Sequence, residues 1–447
     1  MDIVVIGGGA AGMAAALEAR RHDRKASITV LESGPYTQYS SCALPFVISR
    51  DIPTFENIEL HPASFYKQFS NIDIYLDTAA DRIDTTSRTV HAGTDSCSYD
   101  ALILATGSLP FIPPIRGLDN VEMGRRVFAF KTLETAKKVD AVSENSTSAI
   151  VVGAGLVGLE VAMALRERGL EVTVVEALDT VMPQMIDPDM AKIVIAQLEQ
   201  KGILLMLDTP VDMISESSRK VRVEIADSAI EADICIIACG VRANTSLAES
   251  AGIDVGKGVA TDGNMRTSDS AVFACGDCAE SLCAVSGNRV MSQLGSTAVR
   301  QAKVAGANAV GLNERFDPTF STSITKIGDI EVAACGITSF QAKESFPELC
   351  SSRTKAYTLP EYYPGGTHIV IKLLFTPEMR IVGGQIIGKS GVFSRISMLS
   401  TAMQAGVSLD GLRRMETAYT PPVSPTIDPV TLAAEMAYKR CIKKKSK

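Results

Sequence analysis

Asp2-Ile3-Val4-Val5-Ile6-Gly7-Gly8-Gly9-Ala10-Ala11-Gly12-Met13 is the stretch on which the fold turns. Ile3 to Ile6 form an unbroken apolar run, the mark of a strand buried on both faces of a parallel sheet. Small residues from Met13 to Arg20 then read as a helix. The glycines between them have separate tasks: Gly7 permits a tight turn, Gly9 lets a pyrophosphate approach the backbone, and Gly12 lets the helix pack on the strand. The helix N-terminus faces the phosphates, with Ala10 and Ala11 in its first turn. A second strand, Ser27 to Leu31, ends at Glu32, whose carboxylate is placed for a ribose 2′-hydroxyl. A lone G-x-G-x-x-G is a weak sign. Strand, glycines, helix, strand and terminal acid in this order make a strong one.

The same unit returns. Ala149-Ile150-Val151-Val152 leads into Gly153-Ala154-Gly155-Leu156-Val157-Gly158, a helix runs to about Arg168, and the strand Glu171 to Val175 ends at Glu176. The chain therefore carries two dinucleotide sites. Glu176 puts a carboxylate where a 2′-phosphate would sit, so repulsion favours NADH over NADPH in the second site, with NADPH kept as the alternative. Arg166 and Arg168 lie nearby and are expected to face solvent. Each unit is followed by a buried strand ending in glycine, Ala101 to Ala105-Thr106-Gly107 and Ile234 to Cys239-Gly240, which returns the chain to the nucleotide. A further strand, Ala271 to Gly276, presents Asp277 exposed at its C-terminal end, suited to a polyhydroxyl chain.

From about Phe316 the pattern changes to alternating strands, Ile324 to Val332, Thr367 to Phe375 and Ile381 to Ile387, followed by helices at 392–405 and 429–440. That is the signature of a separate α+β domain. The whole is 447 residues, 46% hydrophobic and 21% charged with net charge −7. This balance points to a globular protein with a small-molecule partner and gives no reason to expect nucleic-acid binding. Apolar runs break before the ~20 residues a membrane helix requires, which makes the cytoplasm the expected compartment.

Tyr39-Ser40-Ser41-Cys42-Ala43-Leu44-Pro45-Phe46 holds the most informative of the ten cysteines. Two readings stand for Cys42: a buried core thiol, as most free cysteines are, or a reactive centre served by the nucleotide units around it. The cysteines show no repeated spacing and a chain this size needs no disulfide framework, so most of them read as small hydrophobes in a reducing compartment. Cys275 and Cys278 form a C-x-x-C, either a redox pair or half a metal site. The four histidines are scattered singly, so no metal site is expected. The basic end, Lys439-Arg440 through Lys443-Lys444-Lys445 to Lys447, reads as a solvated tail.

Together the two glycine units, Ala105-Thr106-Gly107, Ala274-Cys275-Gly276-Asp277 and the C-terminal α+β region resemble the flavoprotein pyridine nucleotide-disulfide oxidoreductases, over nearly the whole chain. The resemblance implies an α/β fold of two Rossmann-like domains plus a C-terminal α+β dimerisation domain. Residues 1–112 and 253–316 would form a discontinuous FAD domain, 113–252 the NAD(P)H domain, and 317–447 the dimerisation domain of a homodimer. FAD would be held by Gly7, Gly9, Ala10, Ala11, Gly12, Glu32, Ser41, Ala105, Thr106, Gly107, Asp277 and Ala298. NAD(P)H would fall to Gly153, Gly155, Leu156, Val157, Gly158, Glu160, Glu176 and Gly240, with Glu160 near the nicotinamide.

No second cysteine follows Cys42 until Cys97, unlike the dithiol branches with their C-x-x-x-x-C pair and C-terminal histidine. The single-cysteine branch fits better, and Ser41-Cys42-Ala43-Leu44-Pro45-Phe46 resembles the coenzyme A disulfide reductase signature, with Phe46 where tyrosine is more usual. Tyr362-Tyr363-Pro364-Gly365 and Ala418-Tyr419-Thr420-Pro421-Pro422 resemble segments that bring tyrosines across the dimer to the thiol. The resemblance implies reduction of CoA disulfide or CoA persulfide through a Cys42–CoA mixed disulfide, with Tyr419 and Tyr362 or Tyr363 as proton donors or else as packing residues. Arg21, Gln38 and Ser41 align with CoA contacts, Lys67 after Phe65-Tyr66 is a further candidate cation for CoA, and ordinary surface charge remains the other reading of the cations. Two alternatives stand: an NADH oxidase or peroxidase working through a Cys42 sulfenic acid, whose usual histidine is replaced in the region of Ala10 and Ala11, and a redox sensor or electron-transfer module acting through a protein partner.

Overall fold

A computed structural model describes residues 1–226 and 228–445. Three five-stranded sheets organise them. In the first, the parallel order runs Val272–Ala274, Ala101–Leu104, Asp2–Ile6, Ser27–Leu31, Ile72–Tyr75. The run Ile3 to Ile6 is 5% exposed or less, as a strand covered on both faces requires. Helix Ala10–His22 packs against helix Gly295–Ala309, and the two approach so closely that a Cβ on Gly306 would stand 2.3 Å from the Ala15 carbonyl oxygen. The first sheet is thus completed by chain that arrives only after the second.

The second sheet repeats the plan, with parallel order Leu204–Met206, Glu171–Val175, Ser148–Val152, Ile234–Ile237, Val127–Ala129. Helix Leu156–Glu167 follows its central strand. The two chain crossings between the units, Ser108–Pro110 and Val241–Ala243, pair antiparallel directly after Gly107 and Gly240. Arg166 and Arg168, expected in solvent, turn inward. Arg166 donates to the carbonyls of Lys201 and Leu170 at 2.9 and 3.1 Å, while Arg168 bonds Asp140 at 2.7 Å and the Ile48 carbonyl at 3.2 Å. Carbonyls freed at the ends of helices need donors, and these two guanidinium groups supply them.

The third sheet is antiparallel, ordered Ser323–Ile327, Ile330–Gly336, Ile381–Gly388, His368–Phe375, Cys350–Tyr357, and helices Val392–Gln404 and Pro429–Lys445 pack against it. The single run expected over 324–332 is a hairpin, because Gly328 at φ +57° turns the chain between two strands. The final helix takes in the basic run up to Lys445, and residues 446 and 447 lie outside the described residues. Two three-stranded antiparallel sheets, at residues 82–98 and 213–232, had no counterpart in the sequence reading. Lys372 on the third sheet reaches Asp187 at 2.8 Å, ahead of helix Pro188–Gln200, with side chains 9% and 2% exposed. The Asp187 amide donates in turn to Gln385 at 2.9 Å. No helix among the described residues is long and apolar enough to cross a membrane.

Candidate active site

The two glycine turns are near-copies. Gly7 and Gly153 take φ +104° and +106°, and a Cβ on either would meet a carbonyl of the returning strand, Ala105 at 2.2 Å and Ala238 at 2.6 Å. Gly12 and Gly158 lie under the turns, where a Cβ would stand 1.8 Å from the Gly7 oxygen and 2.1 Å from the Gly153 oxygen. At Gly9 and Gly155 a Cβ would meet nothing within 4 Å. That open space beside bare backbone, at the N-termini of helices Ala10–His22 and Leu156–Glu167, fits a diphosphate in both units.

The terminal acids match as well. Glu32 accepts from the Gly8 amide at 2.6 Å and the Gly34 amide at 2.8 Å, and Glu176 accepts from Ala154 at 2.7 Å and Leu178 at 2.9 Å. Each carboxylate therefore braces its own turn while keeping lone pairs for a ribose.

Both turns open into one cleft of about 2350 Å³. Its walls include Gly7, Gly9, Ala10, Ala11, Glu32, Ser41, Cys42, Ala105, Thr106, Gly107, Asp277 and Ala298 from the first unit's side, and Gly153, Gly155, Leu156, Val157, Glu160, Glu176 and Gly240 from the second's. A cleft of this size and shape, with a glycine cradle at each end, fits a flavin dinucleotide and a nicotinamide dinucleotide meeting in the middle.

Cys42 stands where the two halves meet. It is the one exposed cysteine among the described residues, on the short turn Ser41–Ala43 that leads into helix Leu44–Ile48. The thiol opens to the cleft yet is screened from bulk water, and this poor hydration pushes its pKa up. The charge of Glu160 pushes the same way, as does that of Asp277, against a hydrogen bond from Ser41 and the cation of Lys131. Glu160, largely desolvated, is itself pushed up to about 7, although Thr325 of the third sheet donates to its carboxylate.

Asp277 proves half-buried rather than exposed. It sits in the short turn Gly276–Cys278, accepting from Ser108 at 2.7 Å and pairing with Lys131 at 3.3 Å. Lys131, Ser108 and Thr325 were missed from the sequence, since each reaches the site from a distant segment and none sits in a motif.

The other named residues lie outside the cleft walls. Arg21 pairs with Glu18 at 3.4 Å, Lys67 pairs with Asp73 at 2.7 Å, and Gln38 accepts from the Tyr66 hydroxyl at 3.3 Å. The hydroxyls of Tyr362 and Tyr419 bond each other at 2.9 Å on the surface of the third domain, the rings 73% and 45% exposed, with Tyr363 beside them. Cys275 and Cys278 are buried and their thiols are pushed up by burial, the Cys278 sulfur donating to the Cys275 carbonyl at 3.3 Å, which makes them inert core residues. No cluster among the described residues could hold a metal ion.

Two glycine cradles facing one thiol define a two-dinucleotide oxidoreductase. The chain belongs to the pyridine nucleotide-disulphide oxidoreductases: residues 1–309 match that family and residues 322–430 its dimerisation domain. It is an FAD-dependent NAD(P)H oxidoreductase.

Among its relatives is the protein called NADH oxidase of Methanocaldococcus jannaschii, 38% identical over 98% of this chain and 99% of the relative. The NAD(P)H coenzyme A polysulfide/persulfide reductase of Pyrococcus horikoshii is 28% identical over 97% of this chain and 98% of its own length. The solved NAD-dependent persulfide reductase from A. fulgidus superposes with a TM-score of 0.95 at 36% identity, covering 98% of this chain and 83% of that one. These likenesses place the chain in the coenzyme A disulfide reductase-like branch.

Proposed function

We propose that the protein reduces CoA disulfide, CoA persulfide or related low-molecular-weight polysulfides with NADH, through a mixed disulfide between Cys42 and CoA. The single observation that carries this is an exposed thiol, free of any disulfide, lining the cleft into which both dinucleotide cradles open. With no second cysteine beside it, the disulfide has to be made with a thiol from outside the chain. FAD, when bound, supplies the two-electron relay between nicotinamide and disulfide. Its ADP half suits Gly7, Gly9, Gly12 and Glu32, and its ribitol suits Asp277, which Lys131 and Ser108 orient.

The chain's own part is to hold and tune the sulfur. The Lys131 cation and the Ser41 hydroxyl favour the thiolate of Cys42, and the Glu160 and Asp277 charges oppose it. That thiolate attacks the acceptor disulfide, expelling CoA thiolate, which then takes a proton. Tyr419 and Tyr362 are suited to give it. Their exposed, mutually bonded hydroxyls lie away from this chain's own cleft, in keeping with service to the cleft of a second copy in a homodimer. On that view Arg21, Gln38 and Lys67 meet CoA only if ligand draws Arg21 and Lys67 from their acidic partners. Glu176 favours NADH over NADPH. The domain limits 1–112 with 253–316, 113–252 and 317–447, and a reducing cytoplasm, complete the proposal.

NADH oxidase or peroxidase action is the second reading, favoured by the name of the M. jannaschii relative. Against it, Ala10 and Ala11 offer no acid–base group to a peroxide. Anaerobic NADH consumption with CoA disulfide, CoA persulfide or peroxide as acceptor, in wild type and Cys42→Ser, decides between them. CoA-dependent turnover lost in Cys42→Ser is expected, and turnover with peroxide alone would defeat the first reading.

A further inference from the structure

Glu160 faces two spaces. It lines the main cleft, and it also lines a second, small cavity of about 30 Å³ beside helix Leu44–Ile48, large enough for one water molecule. Three segments build this cavity. Helix Leu156–Glu167 contributes Glu160, Met163, Ala164 and Glu167, one face at the helical repeat. Helix Leu44–Ile48 and the loop after it contribute Pro45, Phe46, Ser49 and Asp51, and the third sheet contributes Lys326 and Gly328. Asp51, Glu167 and Lys326 are exposed, whereas Glu160 at the inner end is not.

The two spaces therefore share the Glu160 carboxyl, the larger lined by the Cys42 thiol and the smaller by the exposed Asp51, Glu167 and Lys326. The chemistry calls for a proton path. Reduction of a disulfide, NADH + H⁺ + RSSR → NAD⁺ + 2 RSH, consumes one proton from solvent, and so does reduction of oxygen to peroxide. A nicotinamide lying over the site would close the front of the cleft.

We propose that the proton consumed in each turnover enters through the small cavity between Asp51, Glu167 and Lys326, and is carried to the Cys42 site by the Glu160 carboxyl. Thr325 donates to one carboxylate oxygen and so fixes the group between the two spaces. Electrostatics couple the step to the reaction: the Cys42 and Glu160 charges repel, so formation of the thiolate raises the proton affinity of Glu160. The other charges at hand are Asp277 and Lys131 across the thiol, and Lys201, Asp329, Asp51 and Lys326 around Glu167. Glu167, at the outer end, is pushed up, chiefly by partial burial and then by Asp51.

The inference rests on the proposed function for the nicotinamide closing the cleft and for Cys42 as the redox centre, and its oxygen arm needs no CoA. Proton uptake by the holoenzyme is followed with a pH indicator during NADH turnover, using oxygen and CoA disulfide as separate acceptors, in wild type, Glu160→Gln and Ala164→Leu. Ala164→Leu fills the passage and leaves every ionisable group in place. Both variants are expected to slow proton uptake by about 100-fold, the lower end of what a positioned acid supplies. Small weak acids should rescue Glu160→Gln, and retained flavin absorbance would show that each variant is folded. Uptake at the wild-type rate in either folded variant overturns the proposal. Failure of CoA disulfide alone as acceptor bears on the proposed function and leaves the oxygen arm to decide this one.

Discussion

The two dinucleotide units share backbone geometry and differ in what covers them. In the first, Gly276 arrives over the turn so closely that a Cβ there would stand 2.7 Å from the Ala11 Cβ, and helix Gly295–Ala309 lies along helix Ala10–His22. In the second, helix Leu156–Glu167 is met by the short helix Leu44–Ile48 and by strand Ser323–Ile327, and Val157 and Leu178 are left 42% and 50% exposed beside the turn. The first turn is covered at closer range than the second. The same motif thus meets different neighbours in the two units, and the neighbouring chain makes the difference.

The sharpest way to break this contrast is to substitute the matching third glycines. Gly12→Val should abolish flavin binding and all activity, whereas Gly158→Val should keep the flavin spectrum and lose its reduction by NADH. Loss of flavin in both would show that the units are not separable. Next in size is the pin between the second unit and the third sheet. Lys372→Met leaves the Asp187 carboxylate buried without its cation, and denaturant unfolding should report a loss of about 3–5 kcal/mol.

Glu160 gives a smaller, pH-dependent effect. Its carboxyl binds a proton more tightly folded, at about 7, than at its ordinary 4.5. Its stabilisation is therefore complete below about pH 4.5 and fades as pH rises through about 7, a change of about 3 kcal/mol. Glu160→Gln should flatten the fall in Tm across that window. Smallest is Glu176→Ala, which removes a carboxylate braced by two amides; the KM for NADPH should fall roughly 10-fold relative to that for NADH, about 1.4 kcal/mol.

Much of this was legible from local pattern. The strand, glycine and acid of each unit read correctly because their tasks are local: Gly7 must turn, Gly12 must pack, Glu32 must end its strand. The helices Val392–Gln404 and Pro429–Lys445 were visible for the same reason. What escaped depends on residues that meet only after folding. Lys131 finds Asp277 across 146 positions, Thr325 finds Glu160 across 165, and no periodicity announces either pair. Cys350–Tyr357 was missed as a strand because its residues, Cys-Ser-Ser-Arg-Thr-Lys-Ala-Tyr, form a sheet edge with little apolar alternation. The hairpin at Gly328 was read through because the residues on both sides favour strands.

The late closing of the first sheet sets an order of birth. On a ribosome, strand Ala101–Leu104 emerges with one edge open and waits for Val272–Ala274, about 170 residues later, to pair with it. At a synthesis rate of about 5–20 residues per second that is an exposure of roughly 10–30 s. The second sheet, built wholly from Val127–Ala129 to Ile234–Ile237, is finished first. The nascent protein therefore completes its second dinucleotide unit while the first still presents a bare strand edge, a template for mispairing with another chain.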